Sequence, residues 1–268
     1  MEVAEKQGTV DITIFVTCYN EQDLIISALE TIRTTMALFS YTYEVLIYDD
    51  ASKDNSVQVI QDYVGKNGLQ GQFELVVNPV NQGIGINYFR AAERGRGEYF
   101  MIVHGDNAVK PVEIGKMINL LGRADIIVPY YGTRLFSLKY NYDHRNFMRR
   151  LLSLTFAMIV RILSGHELRY FNGLVIHRRE TLLKHRINAY GLGFQAELLC
   201  RILNDPNVSY LEVKLHNDDR TSGPTSAFKW RNIISVCGSL WRIFLFNPNF
   251  IIQAVRRLTR AEGKEPAA

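Results

Sequence analysis

Apolar positions in the first 130 residues follow two alternating periods. Short β-branched and aromatic runs, such as Ile12-Thr13-Ile14-Phe15-Val16 and Val45-Leu46-Ile47-Tyr48, stop abruptly at polar clusters. Between them, apolar side chains recur every three or four residues, as in Leu24, Ile25, Ala28, Leu29 and Ile32. The first pattern is that of a buried strand and the second that of an amphipathic helix. The spacing predicts strands over 11–17, 43–48, 73–77, 99–103 and 125–129, and helices over 22–38, 56–64, 84–94 and 111–121. Ser52 or Asp54 is placed to cap the second helix, and Pro111 suits the first turn of the fourth. Repeated strand–helix units build a mostly parallel sheet flanked by helices, so the expected fold class is α/β.

Beyond residue 130 the alternation loosens. A long helical pattern covers 146–163, with Phe147, Leu151, Leu154, Ile159 and Ile162 set among Arg149, Arg150 and Arg161. A strand over 173–177, a helix over 194–203 and a strand over 208–215 follow. A polar loop, 217–226, then precedes a hydrophobic helix over 232–246 that Pro248 ends or bends. Leu151 to Val160 is apolar almost all round, and 232–257 mixes large apolar residues with Trp241, Arg242, Arg256 and Arg257. Core helices with surface arginines have this composition, and so do helices lying in a membrane interface. The expectation adopted is contact with the cytoplasmic face of a membrane. The expected organisation is one unit over 1–230 and a C-terminal amphipathic helical extension with a frayed tail over 231–268.

Composition narrows this picture. With 268 residues, 47% apolar and 22% charged, the chain can bury a large core and is not disordered outside its ends. A net charge of +4 does not suggest a nucleic-acid binder. Cys18, Cys200 and Cys237 have neither zinc-site spacing nor a disulfide framework, which points to a reducing compartment. Met1 to Gln7 lacks the apolar stretch of a secretory signal, and no run of about 18 apolar residues offers a membrane span. The expected location is cytoplasmic, peripheral on the membrane.

Candidate chemistry lies at two acidic strand ends, Asp49-Asp50-Ala51-Ser52-Lys53-Asp54 and His104-Gly105-Asp106. Ligands of open α/β sheets sit beyond the carboxyl ends of the strands, so the two ends point to one polar site for a metal or a nucleotide. A carboxylate such as Asp50 can accept hydrogen bonds from a base or ribose, or close a solvated turn. In Asn81-Gln82-Gly83-Ile84-Gly85 the glycines allow close backbone approach, and the helix N-terminus favours an anion.

In their order along about residues 11–230, these motifs resemble the family-2 glycosyltransferases with a GT-A fold, in particular the polyprenyl- and dolichyl-phosphate sugar transferases. Thr17-Cys18-Tyr19-Asn20-Glu21 is similar to that family's Pro-x-Tyr-Asn-Glu, with Thr17 in place of proline. The resemblance implies that Thr17, Tyr19 and Glu21 line the nucleotide base, that Asp50 binds base or ribose, and that Gln82 and Gly83 approach the donor. His104-Gly105-Asp106 stands where the family has Asp-x-Asp, which holds a divalent cation against the donor diphosphate. Asp106 and His104 are therefore the expected metal ligands, with Gly105 beside the donor, and the histidine suits manganese better than magnesium. Phe171-Asn172-Gly173 loosely resembles a segment beside the donor sugar. Gly193-Phe194-Gln195-Ala196-Glu197 is similar to the family's Phe-Gln-x-Glu-Leu helix start, which would bring Glu197 to the acceptor. Asp219-Arg220 matches a loop whose arginine meets the phosphates.

The implied reaction is inverting transfer of a sugar from a UDP- or GDP-linked donor, with Mn2+ or Mg2+. The acceptor would be a polyprenyl phosphate, which needs no general base because its second pKa is about 6. A saccharide or lipid hydroxyl would need one, and Asp219 and Glu197 are the candidates. Two other readings stay open. One is a nucleotide-sugar-binding protein whose catalysis weakened or ended when histidine replaced the first metal aspartate. The other is a nucleotidyltransferase, although Cys18-Tyr19-Asn20-Glu21 lacks the glycine-rich, basic signature that such an enzyme places after its first strand.

Overall fold

The computed structural model describes residues 9–131, 147–188, 191, 193–216 and 230–247, without the side chains of 147–150 and 230–233. The first half alternates β1 (Val10–Cys18), α1 (Ile25–Met36), β2 (Tyr43–Asp49), α2 (Ser56–Lys66), β3 (Phe73–Val77), α3 (Ile84–Arg94), β4 (Gly97–His104), α4 (Pro111–Ile118) and β5 (Ile126–Tyr131). The second half adds α5 (Phe147–Ser164), β6 (Ile176–Arg178), α6 (Arg179–Lys184), α7 (Phe194–Leu203), β7 (Tyr210–Leu215) and α8 (Trp230–Leu245).

The seven strands form one sheet in the order β3-β2-β1-β4-β6-β5-β7. All neighbours are parallel except β6, which runs antiparallel to both β4 and β5. Both sheet faces are covered, so the strands read as continuous apolar runs. Ile12, Ile14, Val16 and Cys18 of β1 enter one core with α1, α2 and α4, while Phe15 enters the other with α3 and α7. That second core centres on Tyr88, whose ring meets Phe100 at 5.0 Å and Phe194 at 5.1 Å, edge to face.

The observed elements depart from expectation where side chains capture backbone groups. α1 begins at Ile25, not at 22, because Ser56 Oγ accepts the N–H of Glu21 and Asp54 Oδ2 that of Gln22, holding this stretch in a turn. Asn55 occupies the α2 N-cap, and Asp54 Oδ1 serves the first turn by accepting the Ser56 N–H at 3.0 Å. β6 is shorter than the predicted strand because Gly173, at φ +108°, turns there and exchanges two hydrogen bonds with Gln195. The six residues of α6 are too few to show a period and were not expected. α8 packs on α5 and α7 and buries Ile243. A Cβ on Gly193 would stand 2.7 Å from Ser239 Cβ, so this close approach needs glycine. Among the described residues no helix is long and apolar enough to cross a membrane.

Candidate functional site

β2, β1 and β4 are adjacent, and the register pairs Thr17 with both Tyr48 and His104, and Cys18 with Asp49. The carboxyl ends of the three strands are therefore level. Strands lie about 4.8 Å apart, which puts the ends of β2 and β4 roughly 10 Å from each other across β1. After each strand the chain passes through a left-handed residue: Asn20 at φ 54°, Ala51 at φ 65° and Asn107 at φ 50°. These are the positive-φ non-glycine residues of the described structure. Each such position costs on the order of 1 kcal/mol, and such strain concentrates at binding sites.

Side chains zip the first two turns together. Asn20 N–H donates to Ser52 Oγ at 2.9 Å, and Lys53 N–H donates to Asn20 Oδ1 at 2.7 Å. Ser52 N–H in turn donates to Asp49 Oδ1 at 3.0 Å. Asp49 is fully buried, and its Oδ2 has no hydrogen bond among the described residues. The Cys18 thiol lies beside that carboxylate. Burial pushes the thiol up to about 12, and the Asp49 charge adds to the rise, so Cys18 stays neutral and is not a nucleophile.

The third loop is held by Asp50. Its Oδ1 accepts Asn78 Nδ2 at 2.8 Å and Gln82 N–H at 2.8 Å, and its Oδ2 accepts Gly83 N–H at 2.9 Å. Asn78 also donates to Asn87 Oδ1 at 2.8 Å, and Asn81 donates to the Asp50 carbonyl at 3.2 Å. The anion at the start of α3 is thus Asp50 itself. Three of the roughly four acceptor positions of the carboxylate serve the loop, and about one is left for a base or ribose. Asn78 and Asn87 were not anticipated. The available signal was a polar residue, Asn87, on the apolar face of a helix.

At the end of β4, Thr17 Oγ1 stands 3.3 Å from His104 Nδ1, and the Thr17 carbonyl accepts Gly105 N–H at 2.9 Å. Asp106 Oδ1 closes a turn by accepting Ala108 N–H at 3.2 Å, and Asn107 Oδ1 accepts from Thr31 Oγ1 at 3.1 Å. Among the described residues no three His, Cys, Asp or Glu side chains form a metal cluster. Asp106 and His104 bring one carboxylate and one imidazole to a single turn. That donor set fits a borderline ion bound mainly by its substrate better than a hard-cation cage.

Of the remaining expected residues, Tyr19 and Glu21 flank Asn20 in the turn after β1, and the others lie further along the chain. Tyr19 is exposed after β1, and Glu21 begins the turn before α1. Glu197, on α7, is buried and binds Arg242 of α8 through Oε2 at 2.8 Å. Asp219 and Arg220 lie outside the described residues. The chain reaches them from His216, whose N–H donates to the buried Glu113 of α4 at 2.9 Å, a tether that the sequence did not reveal.

A family model, glycosyl transferase family 2, matches residues 13–189. The chain belongs to glycosyl transferase family 2. It is 27% identical over 168 residues to a dolichyl-phosphate beta-glucosyltransferase of Trichomonas vaginalis, covering 59% of this chain and 48% of that one. It is 26% identical over 107 residues to the undecaprenyl-phosphate 4-deoxy-4-formamido-L-arabinose transferase of Pseudomonas fluorescens, covering 40% and 31%. The matches thus span half or less of these curated relatives. Glucosyl-3-phosphoglycerate synthase from Mycobacterium tuberculosis, solved with Mn2+, uridine diphosphate and glucosyl-3-phosphoglycerate, superposes with a TM-score of 0.59 at 18% identity, covering 87% of this chain and 80% of that chain. Its complex with Mg2+ and uridine diphosphate gives 0.60 at 18% identity, covering 87% and 79%. Likeness at this identity speaks for the fold, which is GT-A-like.

Proposed function

We propose that this member of the family is an inverting glycosyltransferase that moves a sugar from a UDP- or GDP-linked donor to a polyprenyl phosphate. The observation that carries the reading is the level edge of β2, β1 and β4, where Asp50, His104 and Asp106 follow neighbouring parallel strands and each turn holds a left-handed residue. Tyr19 and Glu21 with the remaining acceptor position of Asp50 would take the base, and Gln82, Gly83 and Gly105 would take the donor backbone. The names of relatives that act on dolichyl and undecaprenyl phosphates support a lipid-linked acceptor.

Neighbouring structures that hold Mn2+ or Mg2+ with uridine diphosphate support a divalent ion, which Asp106 and His104 would hold. Such an ion supplies charge neutralisation at the leaving diphosphate. Arg220 would add a bidentate contact to the same oxygens. In the transfer, an acceptor phosphate oxygen forms a bond to the anomeric carbon as the carbon–oxygen bond to the diphosphate breaks. A phosphate acceptor arrives ionised, so no proton must be removed. Glu197, paired with Arg242, then serves to orient the acceptor side of the site, and Asp219 is the base candidate for a hydroxyl acceptor.

Membrane contact is part of the same reading. Leu151, Met158 and Ile162 of α5 and Ile234, Trp241 and Leu245 of α8 are exposed, and each set recurs at positions i, i+7 and i+11 of its helix. Two apolar stripes on helices that pack together suit an interface where the lipid-linked acceptor is found. Residues 1–230 would be the transferase unit and 231–268 its membrane-facing extension, on the cytoplasmic side.

The test is calorimetry against UDP- and GDP-sugars with and without Mn2+, followed by transfer to polyprenyl phosphate in vesicles. Metal-dependent binding of one donor and transfer to the lipid are expected. Failure to bind any nucleotide-sugar would overturn the reading, and binding without transfer to any acceptor would favour a nucleotide-sugar-binding protein.

A further inference from the structure

Thr17 and His104 are Cα partners in the β1–β4 ladder, so their side chains project to the same side of the sheet. Their polar atoms, Thr17 Oγ1 and His104 Nδ1, are 3.3 Å apart. The Thr17 carbonyl also binds Gly105 N–H at 2.9 Å, and a Cβ on Gly105 would stand 2.5 Å from that carbonyl oxygen. One residue thus holds both the imidazole and the turn that carries Asp106. At both positions the chain also departs from the motifs it resembles, threonine for proline and histidine for aspartate. Proline has no hydroxyl to offer an imidazole, so the two departures form one chemical unit.

An imidazole uses one nitrogen as ligand, and the hydrogen bond made by the other decides which one. We propose that Thr17 is a positioning residue: its hydroxyl accepts Nδ1–H of His104 and so fixes Nε2 as the nitrogen that meets a divalent cation, biasing the site towards Mn2+ over Mg2+. The inference rests on the donor-site reading above, but its first test does not require a donor.

Nitrogen NMR of the His104 ring in the unliganded protein reports the tautomer directly. The Nδ1–H form is expected to dominate, with Thr17→Val shifting the equilibrium and Thr17→Ser restoring it. A dominant Nε2–H form, or a tautomer unaffected by Thr17→Val, overturns the proposal. Calorimetry with uridine diphosphate supplies the functional readout. Removing the partner of a ligating histidine weakens metal affinity about 10- to 100-fold. Thr17→Val should weaken Mn2+-dependent binding by about tenfold or more, and Thr17→Ser should recover it to within about twofold. In a His104→Asp background the same Thr17→Val change should cost less than about twofold, because no imidazole remains to be oriented. Equal losses in both backgrounds, or equal losses with Mn2+ and Mg2+, overturn the proposal. If the unaltered protein binds neither uridine diphosphate nor guanosine diphosphate with either ion, the functional reading falls, and the ring tautomer alone decides the role of Thr17.

Discussion

The buried carboxylate of Glu113 accepts the backbone N–H of His216, joining the first turn of α4 to the last described residue before Asp219 and Arg220 in the sequence. Lys116 Nζ neutralises the same carboxylate at 2.8 Å. The helix that follows the Asp106 turn is thereby tied to His216, three residues before Asp219 in the sequence. Replacing Glu113 by Ala strands an N–H donor and a cation at about 1–3 kcal/mol. The expected outcome is a lower urea midpoint together with a fall in transfer rate of about tenfold, while Glu113→Gln keeps an acceptor and loses less. Unchanged transfer in Glu113→Ala, with the stability loss present, would confine this tether to folding.

Asp50 makes a sharper case. An amide in its place would turn an Nδ2 donor towards one of the N–H groups of Gln82 and Gly83. Asp50→Asn should therefore cost about 1–3 kcal/mol and loosen the 78–83 loop. Calorimetry should show donor affinity reduced by at least about tenfold, from the lost loop geometry and the lost acceptor together. Wild-type affinity for every nucleotide-sugar tried would remove Asp50 from the donor site.

The succession of strands and helices along the first half could be read from period alone, because each β-branched run ends at polar residues and each helix shows its apolar stripe. The two acidic strand ends were legible for the same reason. What was not legible depends on distant partners. Asp50 and Asn78 are separated by 28 positions, and Glu113 and His216 by 103, so no local spacing reveals either bond. The sequence suggested that the start of α3 would receive a ligand anion, whereas Asp50 of this chain already sits there. β6 escaped correct delimitation because its three residues are defined by pairing with β4 and β5 and not by composition.

Ala51 tests the left-handed turns. At φ 65° its Cβ carries a penalty of about 1–2 kcal/mol that glycine avoids, offset by about 0.5–1 kcal/mol of extra chain entropy in the unfolded glycine variant. Ala51→Gly should range from neutral to about 1.5 kcal/mol more stable, and Ala51→Val should be less stable than the parent protein. Chemical denaturation of the three proteins reads the order, and a less stable glycine variant would show that the turn is not strained.

The stripes on α5 and α8 predict partition to vesicles. Trp241 is 61% exposed and Ile162 is 59% exposed, so replacing both with Asp removes mainly solvent-facing apolar surface, at the cost of the Trp241 ring contact with Phe244 at 5.7 Å. The double variant should lose little thermal stability and lose binding to vesicles containing anionic lipid by at least about tenfold in flotation. Equal flotation of the variant and the parent protein would assign these stripes to something other than lipid.

His177 sets an acid limit on the fold. Full burial against Tyr88 pushes its imidazole down from 6.5 to about 3, and its Nδ1 has no hydrogen-bond partner among the described residues. In the unfolded chain the ring takes up a proton near its ordinary value, whereas in the folded chain it stays neutral to much lower pH. The unfolded state therefore binds more protons between these limits. The stability from this ring is complete above the unfolded value and is lost as pH falls, by about 1.4 kcal/mol per unit once well below it. From pH 6.5 to about 4.5 the loss should come to about 2 kcal/mol. Burial also lowers His166, which adds a loss of the same sign, so the diagnostic is the difference between two proteins. His177→Leu should flatten the pH dependence of the denaturation midpoint over this window by the His177 share, while a slope identical to that of the parent protein would place the titrating group elsewhere.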